Sequence, residues 1–244
     1  YWISEKNLVC SEDSSGWWNL VFLEIDNIKK INVKKRIKKE FFEYGVPQWI
    51  SGISLLSGNI SNLFCLVKSK EYWFLEHYQN YSLLRTIYLP YSILSDLYVV
   101  SNKLICKASN NNSYERLIEI DIDTYSKSKL SKEYSLDKKP QIYANANSYW
   151  FRGFNEKATH SWIYKPSINK NIKPPLIIKA HSGPTSYFDG SLNPEVQFFL
   201  SRGWLIAEVN YGGSSGFGVE YRERLNKGWG VVDAQDCLLL AKSL

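Results

Sequence analysis

The stretch that decides the fold begins Pro174-Pro-Leu-Ile-Ile-Lys-Ala-His-Ser-Gly-Pro184 and continues to Leu244. Its apolar run, residues 176–180, is short and lies between prolines and a glycine-proline turn, which is typical of a buried strand. A second apolar run, Trp204 to Val209, predicts another strand, and a helix pattern starting at Pro194 lies between the two runs. Strand, turn, helix and strand in this order indicate a parallel α/β sheet.

Two helices are predicted in this stretch from their caps and from apolar spacing. The first has Pro194 at its first position and Gly203 as its C-cap. The closing helix is predicted to have Asp233 as its N-cap. Their apolar faces are predicted to carry Val196, Phe199 and Leu200 in the first helix, and Ala234, Cys237, Leu238 and Ala241 in the second.

Five short motifs follow one another here in an order that resembles the prolyl oligopeptidase family. They are His181-Ser-Gly-Pro-Thr-Ser, Ser201-Arg-Gly-Trp, Val209-Asn-Tyr-Gly-Gly-Ser-Ser-Gly-Phe-Gly, Tyr221-Arg-Glu-Arg-Leu and Trp229-Gly-Val-Val-Asp. The chain resembles in particular the acylaminoacyl-peptidase and dipeptidyl-peptidase-like members, serine hydrolases in which a β-propeller precedes an α/β-hydrolase domain. The resemblance implies a partial propeller followed by the N-terminal portion of the hydrolase domain, incomplete at both ends.

The first 137 residues contain a loose repeat around three cysteines, each preceded by two apolar residues. The copies are Leu8–Ser11, Leu63–Leu66 and Leu104–Lys107, followed by second β runs at Trp17–Ile25, Glu71–His77 and Arg116–Ile122. The cysteines lie 55 and 41 residues apart (65 − 10 and 106 − 65), in the range of propeller blades at roughly 40–50 residues. Ordinary hairpins of another all-β domain fit the repeat alone. With the resemblance, we predict about three propeller blades in residues 1–137 and the hydrolase portion in residues 138–244.

Composition and charge exclude several classes of function. No stretch approaches the ~18 apolar residues of a membrane span, so no membrane partner is expected. The net charge of +6 comes largely from lysines, many of them in residues 29–39, where isoleucine and valine separate the charges. This pattern favours an exposed strand edge over a nucleic-acid site. The four scattered cysteines predict buried thiols in a reducing, cytoplasmic location, with no metal and no cofactor.

The glycine-rich loop, Gly212 to Gly218, formally contains the G-x-S-x-G pattern of a nucleophile elbow, with Ser214 at its centre. The elbow serine sits directly between strand and helix, whereas Phe217 and Gly218 add a further step here. No histidine follows His181, although hydrolases of this fold order their triad as Ser, acid and His. We therefore do not assign Ser214 as the nucleophile. The glycine spacing also fits neither a dinucleotide fold nor a P-loop.

The turn after the first strand is the better candidate site. A glycine after a strand lets a backbone N–H approach a developing oxyanion. The resembling family has H-G-G-P here and uses a backbone N–H of this turn as one oxyanion donor, which implies Gly183 as the donor and Ser182 as its alternative. A plain strand-ending turn is the competing interpretation.

The remaining polar residues are given structural roles. His181 precedes any possible nucleophile, and His77 and His160 lie in β patterns, so all three are predicted to be structural, the last two as exposed or hydrogen-bonded rings. Caps and salt bridges are predicted for Glu220, Glu223, Asp233 and Asp236.

The resemblance implies a serine-type peptidase or acylpeptide hydrolase that cleaves short or acylated peptides through an acyl-enzyme. Nucleophile, acid and base are expected after Leu244, so chain 1–244 alone is predicted to be inactive. The alternatives are a carboxylesterase on the same scaffold and a non-catalytic propeller/hydrolase-like interaction protein. Association into a homo-oligomer is left open.

Overall fold

The structure is a computed structural model that describes residues 1–26, 30–47, 49–70, 72–131, 144–167, 173–183 and 185–244. The chain divides into two compact units, residues 1–109 with 115–133 and residues 110–114 with 134–244. The predicted domain boundary at residue 138 lies outside the described residues, as do Lys29, Glu71 and Pro184.

The described part of the first unit forms three antiparallel sheets in which strands consecutive in the chain lie side by side. The first sheet contains β1 (Asn7–Glu12), β2 (Asn19–Ile25) and β3 (Ile31–Arg36). The second contains β4 (Leu56–Asn59), β5 (Asn62–Ser69), β6 (Tyr72–Gln79) and β7 (Ser82–Ile87). The third contains β8 (Ile93–Val100), β9 (Lys103–Asn110), β10 (Ser113–Asp121) and β11 (Lys127–Lys129). Propeller blades have this up-and-down order, and the number of sheets is the predicted number of about three.

The cysteines of the repeat occupy matching places in these sheets. Each is the fourth residue of its strand: Cys10 in β1, Cys65 in β5 and Cys106 in β9. Strands β5 and β9 are each second in their sheets. Strand β1 takes the same place because Trp2, before it, forms an antiparallel bridge with Leu8. All three thiols are free, and burial raises the pKa of Cys106 to about 12.

Strand β5 shows why the repeat is apolar around its cysteines. Successive side chains of a strand point to opposite faces. Leu63, Cys65 and Val67 pack into the core shared with the first sheet. Phe64 and Leu66 pack into the core shared with the third sheet. Because both faces are covered, the strand is a continuous apolar run, and each fully buried leucine or phenylalanine contributes about 1.5–3 kcal/mol.

The part of the charged run that forms β3, residues 31–36, lies on an exposed sheet edge, as predicted, whereas Lys39 pairs with the buried Glu76 at 2.7 Å. Strand β3 is the last strand of its sheet, and none of its side chains is buried. Lys34 pairs with Glu24 at 2.7 Å, and Arg36 pairs with Glu12 at 2.6 Å. Surface pairs of this kind are worth about 0–1 kcal/mol, so their main effect is to keep a strand edge charged.

The second unit contains a four-stranded sheet in the order β12-β13-β15-β14. Its strands are β12 (Asn147–Arg152), β13 (Ala158–Tyr164), β14 (Leu176–Ala180) and β15 (Leu205–Asn210), and its helices are α1 (Pro194–Leu200), α2 (Val219–Glu223) and α3 (Val232–Ser243). β14 and β15 pair in parallel, whereas β12–β13 and β13–β15 are antiparallel. The parallel pair β14–β15 is the predicted α/β arrangement, and the antiparallel hairpin β12–β13 precedes it.

Helices cover both faces of this sheet because the strand residues alternate. The core on the α1 side contains Trp162, Tyr164, Val196, Leu200 and Ile206. The core on the α3 side contains Ile163, Ala207, Val209, Val232 and Leu240. None of the helices in the described ranges is long and apolar enough to cross a membrane.

Helix α1 begins at the predicted proline, but its C-cap is Ser201 and not Gly203, which lies in the turn that follows. The Asn193 side chain accepts from the backbone N–H groups of Glu195 and Val196, and Pro194 follows as the first helical residue. Gly203, with φ +85°, donates to the Leu200 carbonyl, and Trp204 donates to the Phe199 carbonyl. These are the two bonds of a Schellman motif, which needs a left-handed residue where Gly203 stands.

Helix α3 differs from its prediction in its cap and in its buried face. Its N-cap is Val231, and Asp233 lies in the first turn, so the predicted cap was wrong. The buried residues are Val232, Asp236 and Leu240, which follow one another at intervals of four. In the predicted stripe only Cys237 is partly buried, whereas Ala234, Leu238 and Ala241 are exposed. The prediction failed because it looked for apolar residues, and a carboxylate occupies the centre of the buried face.

Candidate oxyanion turn and the loop that holds it

Two loops leave the sheet at the same edge. Strand β14 ends at Ala180, opposite Val209 of its parallel neighbour β15, which ends one residue later at Asn210. The turn that starts at His181 and the glycine-rich loop that starts at Tyr211 therefore lie next to each other. The carboxyl ends of parallel strands are where ligands bind in open α/β sheets.

Gly183 lies in the first of these loops and opens onto free space. Its φ is +70°, a conformation that L side chains rarely adopt. A Cβ added to it would meet no atom within 4 Å. Gly183 and Ser182 are both exposed. A side chain at the position of Gly183, the predicted oxyanion donor, would therefore extend into open space.

Tyr211 holds the carbonyl side of this turn. Its hydroxyl lies 2.9 Å from the His181 carbonyl oxygen and 3.1 Å from the Gly183 carbonyl oxygen, so it can donate to either. The Tyr211 ring also stacks on the His181 imidazole, with 4.2 Å between the ring centroids. The single hydroxyl proton of Tyr211 thus has acceptors at both carbonyls of the turn and at His181 Nδ1, 3.1 Å away.

His181 and Ser214 join the turn to the glycine-rich loop. The Ser214 hydroxyl donates to the Tyr211 carbonyl at 2.8 Å, so its oxygen accepts from His181 Nε2 at 2.7 Å. This assigns the Nε2–H tautomer to His181. Burial lowers the pKa of His181, which favours the neutral ring. The predicted structural role of His181 agrees with these contacts.

Ser215 holds the far side of the turn. Its N–H donates to the Ser186 carbonyl at 3.0 Å, and its hydroxyl donates to the Thr185 carbonyl at 2.7 Å. Together with the His181–Ser214 bond, these contacts place one loop against both flanks of Gly183.

The loop itself is packed, unlike the turn. Ser214 has 0% of its surface exposed. A Cβ added to Gly213, whose φ is +119°, would lie 2.7 Å from Leu225 Cβ, and one added to Gly212 would lie 2.9 Å from Val232 Cγ1. A substrate carbonyl has no access to Ser214 in this packing, in agreement with the decision not to assign it as the nucleophile.

Asp236 anchors the loop through contacts that the sequence patterns did not indicate. Its Oδ2 accepts from the Gly212 N–H and its Oδ1 from the Phe154 N–H, both at 2.7 Å. The residue is 1% exposed, and burial raises the pKa of its carboxyl. The prediction of a cap or salt bridge was wrong for Asp236, whereas Glu220 does form an ion pair, with Lys157 at 3.1 Å. The available signal was the aspartate between Val232 and Leu240, four residues from each.

His160 and Asn210 secure the continuation of the turn. The Asn210 Oδ1 accepts from the Phe188 N–H at 2.7 Å, and its Nδ2 donates to the Phe188 carbonyl at 2.9 Å. His160 Nδ1 lies 3.0 Å from the same Nδ2, so this histidine is a buried, hydrogen-bonded ring. His77, in the first unit, is likewise buried and bonded, to Tyr125 at 2.8 Å and Asn62 at 2.9 Å. In the described part of the chain no three His, Cys, Asp or Glu side chains are grouped to hold a metal.

The chain is similar in sequence and in fold to known proteins. Residues 191–244 match the sequence profile of the Prolyl oligopeptidase family. Dipeptidyl-peptidase 5 of Schizosaccharomyces pombe is 29% identical over 123 residues, which is 48% of this chain and 17% of that protein. The crystal structure of a puromycin hydrolase matches 100% of this chain and 37% of its own, with a TM-score of 0.88 and 26% identity. A Mycobacterium tuberculosis puromycin-hydrolyzing peptidase matches 100% of this chain and 38% of its own, with a TM-score of 0.85 and 24% identity.

Propeller blades followed by the first strands of an α/β-hydrolase sheet define the class of protein. Residues 191–244 match the prolyl oligopeptidase family, and the fold of the chain is similar to that of a puromycin hydrolase. It spans about a sixth of the dipeptidyl-peptidase and somewhat more than a third of the puromycin hydrolase.

Proposed function

We propose that the full-length protein is a serine peptidase that hydrolyses short peptides through an acyl-enzyme, with the Gly183 N–H as one donor of its oxyanion hole. The observation that carries the proposal is the open Gly183 turn at the carboxyl end of a parallel strand. Attack on a peptide carbonyl places negative charge on its oxygen, and fixed N–H donors stabilise that charge without reorganising. The turn meets this requirement because Tyr211, Ser214 and Ser215 fix its flanks.

In the proposed mechanism, a serine hydroxyl attacks the carbonyl carbon while a histidine removes its proton and then protonates the leaving amine. Water then cleaves the acyl-enzyme by the same route. We place the nucleophile, the acid and the base beyond Leu244. Two observations support this: Ser214 is enclosed, and no histidine follows His181 in the chain.

The proposed substrates are short peptides, including peptides acylated at the N-terminus. The names of the relatives, a dipeptidyl-peptidase and puromycin hydrolases, support a small peptide-like substrate. The full-length protein should be assayed on a dipeptidyl p-nitroanilide, an N-acetylaminoacyl p-nitroanilide and a p-nitrophenyl ester. Faster hydrolysis of either anilide by the wild type than by a variant without the catalytic histidine supports a peptidase. Turnover of the ester alone would mean a carboxylesterase, and no turnover at all would favour the interaction protein.

The test of the oxyanion turn is Gly183→Val in the full-length protein. A branched side chain would occupy the open space in front of the turn, and a valine at φ +70° would be strained. The N–H of residue 183 would then no longer point towards the oxyanion. The loss of one oxyanion donor typically costs about 10²–10³ in kcat, so a decrease of that size is expected.

Gly230→Val is the matched control. Gly230 lies in the same unit, has φ +74° and likewise has no atom within 4 Å of an added Cβ. It should show the same backbone strain without the loss of kcat. If Gly183→Val keeps kcat/KM within a few-fold of the wild type, the turn only terminates a strand.

A further inference from the structure

We infer that Asp236 is a positioning residue for the oxyanion turn: it fixes the start of the loop 212–215, and that loop sets the direction of the Gly183 N–H. The inference rests on the proposed function, because the Gly183 N–H has a direction to set only if it is an oxyanion donor. It concerns a residue that touches neither substrate nor the turn.

The first step is the anchor. Each carboxylate oxygen of Asp236 accepts one backbone N–H at 2.7 Å, from Phe154 and from Gly212. Short bonds from N–H groups to a carboxylate are about twice as strong as neutral ones. Gly153 permits this approach, because a Cβ added there would lie 2.3 Å from Asp236 Oδ1. The carboxylate thus ties the β12–β13 turn to the first peptide of the loop.

The second step is the stiffness of the loop between Gly212 and Ser215. An added Cβ at Gly212 or Gly213 would overlap Val232 or Leu225, so the loop backbone has no free space on that side. The Gly213 N–H donates to the Tyr221 carbonyl at 2.9 Å, and the Ser214 N–H donates to the Tyr211 carbonyl at 2.9 Å. A displacement of the Gly212 peptide is therefore passed on to the two serines.

The third step is the contact between the loop and the turn. Ser214 accepts from the His181 ring at 2.7 Å, two residues before Gly183. Ser215 donates to the carbonyls of Thr185 and Ser186, two and three residues after it. Since the loop grips the turn on both sides of Gly183, moving the loop rotates the peptide between the grips. A rotation of 10–20° is enough to weaken a preorganised donor.

The energetics support a role in positioning. Burial raises the pKa of Asp236, which means that folding disfavours the ionised carboxylate despite its hydrogen bonds. An aspartate in the middle of an apolar helix face is therefore a poor choice for stability alone. Both carboxylate oxygens of Asp236 accept backbone N–H groups. Among side chains of this length, only a carboxylate has two acceptor oxygens.

The decisive variant is Asp236→Asn in the full-length protein. Asparagine keeps the shape but has one acceptor, so its NH₂ group faces one of the two N–H donors. We expect kcat to fall about tenfold or more while KM changes less than twofold, because the oxyanion exists only in the transition state. The inhibition constant of a peptide boronic acid, whose tetrahedral adduct needs the same hole, should rise by the same factor as kcat/KM falls.

Glu208→Gln is the control. Glu208 is also a buried carboxylate of the second unit, but its side chain accepts from the Tyr164 hydroxyl at 2.9 Å and pairs with Lys179 at 3.5 Å. Among the described contacts, no hydrogen bond joins its side chain to the loop or the turn. It should lower the melting temperature without changing kcat or boronate binding. Equal effects of the two variants on kcat would overturn the inference, since Asp236 would then act only through stability.

Gly183→Val separates this inference from the proposed function. If kcat is insensitive to Gly183→Val, the proposed oxyanion turn fails. If Gly183→Val lowers kcat and a folded Asp236→Asn variant keeps its kcat, only the inference about Asp236 fails. Should Asp236→Asn not fold, Ser215→Ala tests the last link: a decrease in kcat at constant KM supports the path, and an unchanged kcat overturns it.

Discussion

The turn at residues 181–183 and the loop at residues 211–215 follow neighbouring parallel strands, contain glycine and serine, and differ in packing. Above Gly183 there is open space, whereas Gly212 and Gly213 are wedged against side chains of the following helices and their connection. Ser182 is exposed, and Ser214 is completely buried. The turn has open space at its glycine, and the loop has none.

The difference shows that a motif is not a site until its packing is known. The packed loop carries the G-x-S-x-G pattern of a nucleophile elbow, and the open turn departs from the family pattern by having Ser182 where H-G-G-P has glycine. A search by motif alone would have chosen Ser214. In the structure, the glycines of this loop allow it to pack closely, and its serines form hydrogen bonds with the turn.

The largest expected difference between the loop and the turn is in the free energy of unfolding that is lost when a glycine is replaced by alanine. Gly213→Ala combines a disfavoured φ of +119° with a Cβ only 2.7 Å from Leu225 Cβ, and should lower the free energy of unfolding by about 3 kcal/mol. Gly183→Ala meets only the backbone strain and should cost about 1 kcal/mol. Urea denaturation of the two variants measures both values. Equal losses would mean that the loop is no more tightly packed than the turn.

Much of the fold could be predicted from the sequence because it depends on local patterns. The run Leu176–Ala180 became strand β14 with the predicted bounds, since a short apolar run between prolines has few other uses. The three cysteines marked equivalent strands, each as the fourth residue of its strand, and in β5 the surrounding run is apolar because both of its faces are buried.

The candidate site was only partly predictable, because its contacts join residues far apart in the chain. Nothing local indicates that Asp236 accepts from Gly212 and from Phe154, which is 82 residues away. The same holds for the bond between His181 and Ser214, 33 residues apart. Sequence patterns indicate a cap or a surface charge for an aspartate in a helix. They do not indicate a buried carboxylate that accepts hydrogen bonds from the backbone of other segments.

A smaller effect is expected from Ser214→Ala. The substitution leaves the Tyr211 carbonyl and His181 Nε2 without their partner in a buried place, which should cost about 2 kcal/mol. Ser182→Ala, at an exposed serine, should stay within about 0.5 kcal/mol of the wild type. Thermal denaturation compares the two.

The same serine gives a chemical test. A fluorophosphonate incubated with chain 1–244 should leave Ser214 unlabelled, because the hydroxyl is enclosed and its proton is given to a carbonyl. Stoichiometric labelling of Ser214, found by mass spectrometry, would show that the loop opens and would reverse the roles assigned to the loop and the turn.

The smallest effect concerns the pH dependence of the anchor. Burial raises the pKa of Asp236 from its ordinary value of 3.8, so between that value and the raised one the folded state binds more protons than the unfolded state. The contribution of Asp236 to the free energy of unfolding is therefore largest in acid, falls as pH rises through this window, and is constant above it. Asp236→Asn has no such group, and every other group titrates in both proteins.

Subtracting the free energy of unfolding of Asp236→Asn from that of the wild type thus isolates the carboxyl, and this difference should fall as pH rises from about 4. Denaturant titrations at half-unit steps of pH would measure it, provided that the slope with denaturant stays the same in both proteins. A difference that grows with pH would mean that the bonds from Gly212 and Phe154 outweigh desolvation. Asp236 would then stabilise the fold in its ionised form, and stability alone would account for a buried carboxylate at this position.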